Sequence, residues 1–265
     1  MGQLHANKLS QRNDVSVFVI DPKYNFPKPT SKQPDGVIIA TPTDTHHEIA
    51  LPFLHKNIPC LVEKSLTPTI QTSRELAKHE SLCVGHIERF SSVWQHIQRE
   101  RPEFIQADRI TSFSQRGKDV DVILDLMIHD IDLCLQLMGT EIIDIHACGM
   151  AVLTPQTDIV NARIRFPTGV VQLNASRVSQ NPNRSLRLFS PGMYWSADLQ
   201  RQKLIRTTLH NGLLKPQEIT LPSTDALENE QQHFIDFIRH QKPFPCTGQH
   251  GANAVEVAQA IREAL

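Results

Sequence analysis

Short apolar runs alternate with amphipathic stretches along the first third of the chain. Each run is rich in β-branched or aromatic residues and ends at a turn signal, so each predicts a strand. Between the last three runs, apolar residues recur at helical spacing. This alternation predicts an α/β class with a parallel sheet covered by helices. The predicted strands are VSVFVI (15–20), GVIIATP (36–42), PCLVEK (59–64) and SLCVGH (81–86), and the proline-rich stretch 22–35 predicts a loop.

The rest of the chain has a different pattern. Segment 120–138 predicts one long helix, and strand-like runs then follow one another with short turns, which favours an antiparallel sheet. FPTG (166–169) predicts a hairpin turn, and two helices are expected near 224–240 and 251–264. The change from α/β to α+β predicts two domains, 1–88 and 89–265. The strand-like runs are IIDIHACGMAV, DIVNARIRF, VVQLNASRV, RSLRLFS and YWSADL.

Composition and charge exclude several classes of protein. The 265 residues carry a formal net charge of −1, which gives no field to attract nucleic acid or an anionic membrane. No apolar run approaches the roughly 20 residues that cross a bilayer. The polar N-terminus lacks the apolar core of a signal peptide, so we expect a cytoplasmic protein. The five cysteines are scattered without a CxxC pair, so we expect buried free thiols rather than disulfides or a thiolate zinc site.

The helix predicted over 120–138 combines apolar faces with ionisable residues. It is apolar nearly all round, which predicts burial, yet it contains Asp125, His129 and Asp132. The i, i+4 spacing places Asp125 and His129 on one face, where the carboxylate can accept an imidazole N–H and leave the other ring nitrogen free as a general base. A buried structural pair is an equal alternative. A metal ion is a weaker one, because neither HExxH nor a second close ligand pair is present.

Polar residues also follow the predicted parallel strands, at the edge where ligands bind in such sheets. Lys64 follows the strand CLV, Thr41 and Pro42 follow the preceding strand, and His86 follows the next. A lysine at this edge can hydrogen-bond a substrate oxygen and stabilise developing alkoxide charge. A lysine after a strand is usually only a surface residue, so the position of Lys64 at the crevice is what makes it a candidate.

The signals for a dinucleotide are incomplete. Asp21 ends the strand-like run 15–20, where an acidic residue accepts hydrogen bonds from the adenosine ribose and favours NAD over NADP. The GxGxxG turn expected about 20 residues upstream is not in the sequence, and only Gly2 could be its last glycine. Either the chain starts downstream of the true start, which we favour because the candidate catalytic residues are present, or it is a non-binding relative.

Six segments of the chain match, in the same order, the segments of a known family. They are GQLHANKL, VIDP, IIATPTDTHHEIA, CLVEKSL, VGHIERF and DLMIHDIDLCLQLMG. Through them nearly the whole chain resembles the glucose–fructose oxidoreductase and inositol dehydrogenase family (Gfo/Idh/MocA). The resemblance implies a Rossmann domain, a second domain with an open, mostly antiparallel sheet, and oxidation of a secondary hydroxyl of a sugar or sugar nucleotide with NAD or NADP.

The resemblance also implies a role for each matched position. Lys64 matches the active-site lysine of an E-K-P motif, with Ser65 in place of proline. Asp125 and His129 match a D-x-x-x-H pair in which the histidine accepts the proton. The positions expected to line the cofactor are Gly2, Asp21, Thr41, Pro42, His46, Glu63 and His86.

Substrate contacts and assembly are further expectations. VGHIERF, DVDVILDLMIHDIDL and NASRVS…RSLRLF resemble a bacterial branch that oxidises UDP-N-acetylglucosamine at C3 for amino-sugar lipid A. Each arginine among the candidate substrate contacts has an open alternative. Arg177 and Arg184 could be ordinary residues of the sheet surface, and Arg89 could brace the joint between the domains. A homo-oligomer, dimer or tetramer, is expected through the second sheet. A non-catalytic relative and a metal-dependent hydrolase or lyase are the alternative functions. The candidate contacts are Arg89, Asp132, Arg177 and Arg184, with Arg187 as a further basic strand residue.

Overall fold

The first part of the molecule is a small parallel sheet flanked by helices. The structure, a computed structural model, describes residues 1–21, 33–113 and 120–265. Its strands lie in the order β1-β2-β3, and both pairs are parallel, which confirms the predicted α/β architecture. The elements are α1 (Gly2–Leu9), β1 (Val37–Ile39), α2 (His46–Leu54), β2 (Cys60–Glu63), α3 (Ile70–Leu76) and β3 (Leu82–Gly85).

The run VSVFVI, predicted as a strand, belongs to no strand. Phe18 is 54% exposed and Ile20 is 75% exposed, as expected for a run that packs against no sheet face. In a doubly wound sheet, the second strand pairs with the first, and the run VSVFVI stands in the place of that second strand. Among the described residues, no strand pairs with β1 on the side away from β2. The run therefore has no strand to pair with there. The loop predicted over 22–35 lies, except for its last three residues, outside the described residues.

The second part is built on an eight-stranded sheet in the order β11-β10-β9-β8-β4-β7-β6-β5. β4 runs parallel to β7, and every other pair is antiparallel. The five predicted strands are confirmed, whereas β4, β10 and β11 were not predicted. The strands are β4 (Phe104–Ile110), β5 (Asp144–Met150), β6 (Ile159–Phe166), β7 (Gly169–Ser176), β8 (Asn183–Ser190), β9 (Met193–Asp198), β10 (Lys203–His210) and β11 (Leu213–Ile219).

The hairpin predicted at FPTG joins β6 to β7. Phe166 pairs with Gly169 across the turn. A Cβ built on Gly169 would lie 2.0 Å from the carbonyl oxygen of Glu103, so the neighbouring chain excludes any side chain here. The glycine therefore permits a close approach of two backbones beside β4.

Helices connect the two sheets. The segment predicted as one helix over 120–138 begins with a π-helical turn, Ile123–Met127, and continues as an α-helix. The last helix contacts α3, β3 and this central helix, and a Cβ on its Gly251 would lie 2.9 Å from Val84 of β3. None of the helices in the described part could cross a membrane. The remaining helices are α4 (Ser92–Ile97), α5 (Ile128–Met138), α6 (Ala226–His240) and α7 (Gly248–Glu263).

Candidate active site

The π-helical turn before α5 meets the end of β2. Lys64 donates from Nζ to the backbone carbonyl of Asp125 at 2.5 Å and to its Oδ1 at 3.2 Å. Ser65 donates from Oγ to the carbonyl of Leu124 at 2.9 Å, and the peptide bond between Lys64 and Ser65 is cis. The side chain of Asp121 accepts from two N–H groups at the start of the turn. The lysine is therefore held against the widened turn by side-chain and backbone acceptors together.

The predicted hydrogen bond between Asp125 and His129 is not made. Among the described residues, the carboxylate of Asp125 accepts from Lys64, and no hydrogen bond reaches His129. Asp125 lies in the π-helical turn and His129 in the α-helix that follows it. The lysine at the end of β2 takes the acceptor that the helical spacing assigned to the histidine, so the charge partner of Asp125 is Lys64.

His129 lies at the start of α5 in a positively charged environment. Its Nδ1 is buried and has no hydrogen-bond partner among the described residues. Burial, and then the charges of Arg109 and Lys64, lower the pKa of His129 well below its usual value. The imidazole is therefore neutral at neutral pH, which is the state that can accept a proton.

Two buried arginines anchor the helix beside this histidine. Arg89 donates to both oxygens of Asp132, at 2.7 and 2.5 Å, and to the carbonyl of Pro245 at 2.7 Å. Arg109 donates to both oxygens of Asp130 and to Glu88, each at 2.9 Å. Arg89 and Asp132 are candidate substrate contacts in the sequence. The structure places their side chains in a buried ion pair that ties the segment after β3 to α5.

The other candidate arginines differ in position. Arg177 is buried and donates to Asp158, Thr154 and the carbonyl of Val120, so its guanidinium group is held inside the protein. Arg184 is exposed at the start of β8, on the sheet face of Leu186 and Leu188. Its charge contributes to the lowered pKa of His129.

The segment after β1 lies at the carboxyl edge of the sheet as predicted, with Thr41 and Pro42 exposed. His46, expected to line the cofactor, is instead fully buried. Its Nε2 lies 2.9 Å from the carbonyl of Thr41, and its Nδ1 lies 3.0 Å from that of Ser65. The ring therefore ties the loop after β1 to the segment after Lys64, because both nitrogens face backbone.

Glu63, the residue before Lys64, is held by a histidine of α1. Gln231 donates from Nε2 to the carbonyl of His5 at 3.2 Å and contacts the His5 Nδ1 at 3.1 Å. Because a carbonyl oxygen only accepts hydrogen bonds, the atom of Gln231 that faces His5 is the amide nitrogen, a donor. His5 Nδ1 therefore accepts, and the ring hydrogen of His5 is on Nε2. His5 Nε2 then donates to Glu63 Oε1 at 2.8 Å. Sequence reasoning missed His5 and Gln231, which share no spacing pattern with Glu63.

Glu230 of α6 is fully buried beside this pair, and neither of its carboxyl oxygens has a partner among the described residues. Burial, and then the charge of Glu63, raise the pKa of Glu230 well above its usual value. The folded protein therefore keeps this proton above pH 4.5, where the unfolded chain loses it, and stability falls as pH rises from 4.5 towards the folded pKa.

Replacing Glu230 with glutamine is expected to remove this loss. Each pH unit within that window costs the wild type about 1.4 kcal/mol, whereas the amide does not ionise. Urea midpoints at several pH values should separate in favour of E230Q as pH rises. E228Q, an exposed change on the same helix, should follow the wild type; parallel curves for E230Q and the wild type would show that Glu230 ionises freely in the folded protein.

Two clusters offer three metal-ligand atoms each within 4.8 Å of one another. In the first, His5 Nε2 carries the hydrogen bonded to Glu63 and is not a bare ligand atom. In the second, both oxygens of Asp132 are taken by Arg89, and burial raises the pKa of the Cys246 thiol. The donor chemistry therefore fits hydrogen bonding better than cation binding. The clusters are His5, Glu63 and Glu230, and His86, Asp132 and Cys246.

The start of α1 lies against the carboxyl end of β1. A Cβ built on Gly2 would lie 3.7 Å from that of Ala40, the residue after β1. The first-turn bonds run from Leu4 and His5 to the Met1 carbonyl, and among the described residues no acceptor takes the N–H groups of Gly2 or Gln3. Such N–H groups bind a dinucleotide pyrophosphate in this kind of sheet, so the residues present fit that group.

The fold joins an α/β sheet of the dinucleotide-binding kind to a second sheet, with a lysine and a neutral histidine near the carboxyl edge of the first, an arrangement that fits an oxidoreductase. Residues 3–82 match the oxidoreductase family with an NAD-binding Rossmann fold, and residues 79–190 match the GFO/IDH/MocA C-terminal domain. The chain belongs to the GFO/IDH/MocA family and is a nicotinamide-dependent dehydrogenase.

Individual relatives agree with this family. The chain is 33% identical over 248 residues to UDP-N-acetylglucosamine 3-dehydrogenase of Acidithiobacillus ferrooxidans, covering 87% of this chain and 79% of the relative. A solved structure of that enzyme superposes with a TM-score of 0.81 at 32% identity and the same coverage. Inositol 2-dehydrogenase of Rhizobium meliloti is 24% identical over 253 residues, 85% of this chain and 77% of its own.

Proposed function

We propose that this protein oxidises a secondary hydroxyl of a sugar nucleotide to a ketone, with UDP-N-acetylglucosamine, oxidised at C3, as the first candidate substrate. The observation that carries the proposal is a neutral, partly buried imidazole, His129, whose buried Nδ1 has no hydrogen-bond partner among the described residues. The charge of Lys64 contributes to the lowered pKa of this histidine. Lys64 itself follows β2, at the carboxyl edge of the parallel sheet, where dinucleotides bind in such folds.

Each polar group has a defined task in this reaction. Lys64 has three N–H donors, and the Asp125 carbonyl and carboxylate take two, so one remains for the substrate oxygen. This ammonium group stabilises the charge that develops when the hydroxyl loses its proton. His129 accepts that proton, and Asp125 positions the lysine. The nicotinamide, when bound, supplies the acceptor for the hydride that leaves the same carbon.

The cofactor would lie along the carboxyl edge of the small sheet. The N–H groups at the start of α1, from Gly2, would bind the pyrophosphate. Thr41 and Pro42 would line the site, with Glu63, held by His5, near the ribose on the nicotinamide side. Asp21 at the end of run 15–20 would accept from the adenosine ribose and favour NAD over NADP.

A diphosphate on the substrate is supported by Arg184. This exposed residue lies on the face of the eight-stranded sheet that is directed at α5, and its charge reaches His129. Arg187 lies on the opposite face of the same strand, which makes it a poor candidate for the same task. A guanidinium group can bind a phosphate by two parallel hydrogen bonds.

The test is oxidation of UDP-N-acetylglucosamine with NAD or NADP, followed through the absorbance of the reduced nicotinamide and mass detection of the ketone. UDP-glucose, free N-acetylglucosamine and myo-inositol test the acetamido group, the nucleotide and the sugar class. We expect turnover that requires the diphosphate. If NAD neither raises the thermal stability of the protein nor is reduced with any of these compounds, the non-catalytic alternative replaces this proposal. A cytoplasmic location and assembly through the second sheet stay predictions.

A further inference from the structure

A second imidazole lies beside the candidate proton acceptor. His86 follows β3, and its ring centroid is 6.4 Å from that of His129, with the two planes at 90°. Both ring nitrogens of His86, like Nδ1 of His129, are buried and have no hydrogen-bond partner among the described residues. Buried nitrogens without partners are costly, so three of them on neighbouring rings mark a polar space that water or a transferred proton can use.

The reaction proposed above, on which this inference rests, creates a need for such a space. Oxidation of a hydroxyl to a ketone with one hydride transferred also releases one proton. That proton starts on His129, whose Nδ1 is buried. It has to leave before the next turnover, because a protonated imidazole cannot act as a base again.

A third imidazole, His250 in the first turn of α7, is half-buried. Burial, and then the charge of Arg89, with a smaller part from His86, lower its pKa to about 4. The backbone N–H of Thr247 donates to His250 Nδ1 at 3.0 Å, so the neutral ring carries its hydrogen on Nε2. Neither nitrogen is then open to a further proton, so water rather than His250 is the group that receives a proton from His86.

We propose that His86 accepts the substrate proton from His129, directly or through one water, and passes it on through water to solvent. A neutral imidazole accepts a proton on one nitrogen and releases another from the second. Each transfer forms one N–H bond and breaks one, and no electrons change centre. The hydride leaves the substrate carbon with its electron pair for the nicotinamide, so the relay carries only the proton. His86 acts through His129 and is not placed against the substrate.

The charges around His86 suit transient rather than lasting protonation. Asp132 Oδ2 lies 3.9 Å from His86 Nδ1 and attracts a proton on the ring. Burial outweighs this attraction and, with the charges of Arg89 and Lys64, lowers the pKa of His86, although Glu63 raises it. The ring therefore returns to its neutral form after each transfer.

The central test is the variant His86→Ala measured with and without added imidazole. We expect kcat to fall at least about tenfold with little change in KM, and small imidazoles that enter the cavity to restore it in a concentration-dependent manner. His86→Gln keeps a polar side chain of similar reach but cannot pass a proton on, so it should lose kcat without rescue. His96→Ala, an exposed histidine against Trp195, should keep wild-type kcat.

A second measurement uses the protein without cofactor. In ¹⁵N-histidine NMR, the relay predicts that His129 exchanges between its two neutral tautomers in the wild type. It also predicts that His86→Gln slows or abolishes this exchange. Unchanged tautomer populations and exchange in His86→Gln would overturn the relay even if no substrate had been found.

The outcomes separate the relay from the reaction it serves. Full kcat in His86→Gln, with sugar-nucleotide oxidation intact in the wild type, overturns the relay and leaves the proposed function standing. Loss of kcat in His86→Ala that imidazole does not restore means that the ring is needed for packing, which also overturns the relay. A wild type that oxidises none of the sugars contradicts the proposed function, and the NMR result then decides the relay alone.

Discussion

Replacing His129 with alanine is expected to lower kcat for hydroxyl oxidation by about 10²- to 10⁴-fold, the usual contribution of a positioned general base. The residue is partly buried at the start of α5, and a neutral imidazole there is the proposed acceptor of the hydroxyl proton. KM should change little, because the proton is transferred only in the transition state. Steady-state kinetics with the best substrate would measure both values.

The pH dependence of the wild type supports the same assignment. Since burial lowers the pKa of His129 well below 6.5, the base stays unprotonated under mildly acidic conditions. The acid limb of the kcat profile should therefore lie below pH 6.5, and it should be missing from the residual activity of His129→Ala. His96→Ala is a matched control at an exposed histidine.

Lys64→Ala should also lower kcat, and the same assay applies. If His129→Ala and Lys64→Ala both keep wild-type turnover, the reaction centre lies elsewhere. A loss confined to Lys64→Ala would mean that polarising the substrate oxygen matters and that a different group accepts the proton.

The sequence predicted which residues meet at this site but not which atoms bond. Lys64 and Asp125 do come together, because a strand end and a buried helix both point to one crevice. The predicted partner of Asp125 was wrong because the carboxylate accepts from Lys64. Helical spacing shows which side chains of one helix share a face, and it contains no information on a side chain that arrives from another element. Nothing in ILDLM signals the π-helical turn at this point either.

Buried charge also concealed one strand of the fold. β4 alternates Ile105, Ala107 and Arg109 towards the interior, and an arginine in the inward row interrupts the apolar pattern that identifies a strand. The partners of this arginine, Asp130 and Glu88, lie far away in sequence, so no local spacing announces them. The strands β1 to β3 have no charge inside their apolar runs, since Glu63 is the last residue of β2, and their predictions were confirmed.

Loss of the carboxylate that partners Arg109 is expected to have the largest effect on stability. Asp130 and Arg109 are each 2% exposed and share two hydrogen bonds of 2.9 Å. Asp130→Ala leaves the guanidinium group buried with Glu88 as its remaining carboxylate partner. Breaking a buried pair on one side costs about 3–5 kcal/mol, because the remaining charge is desolvated without full compensation. The midpoint of urea unfolding should fall accordingly.

The exposed pair Asp144–Arg165 provides the matched control. It also joins a carboxylate to a guanidinium group, with a contact of 2.5 Å, but both side chains are more than one third exposed. Asp144→Ala should leave the urea midpoint almost unchanged, because water replaces the lost contact. Equal midpoints for Asp130→Ala and Asp144→Ala would mean that water reaches Arg109 in the folded protein. The positive charge that Arg109 places near His129 would then be screened, and the pKa of the proposed base would lie closer to its usual value.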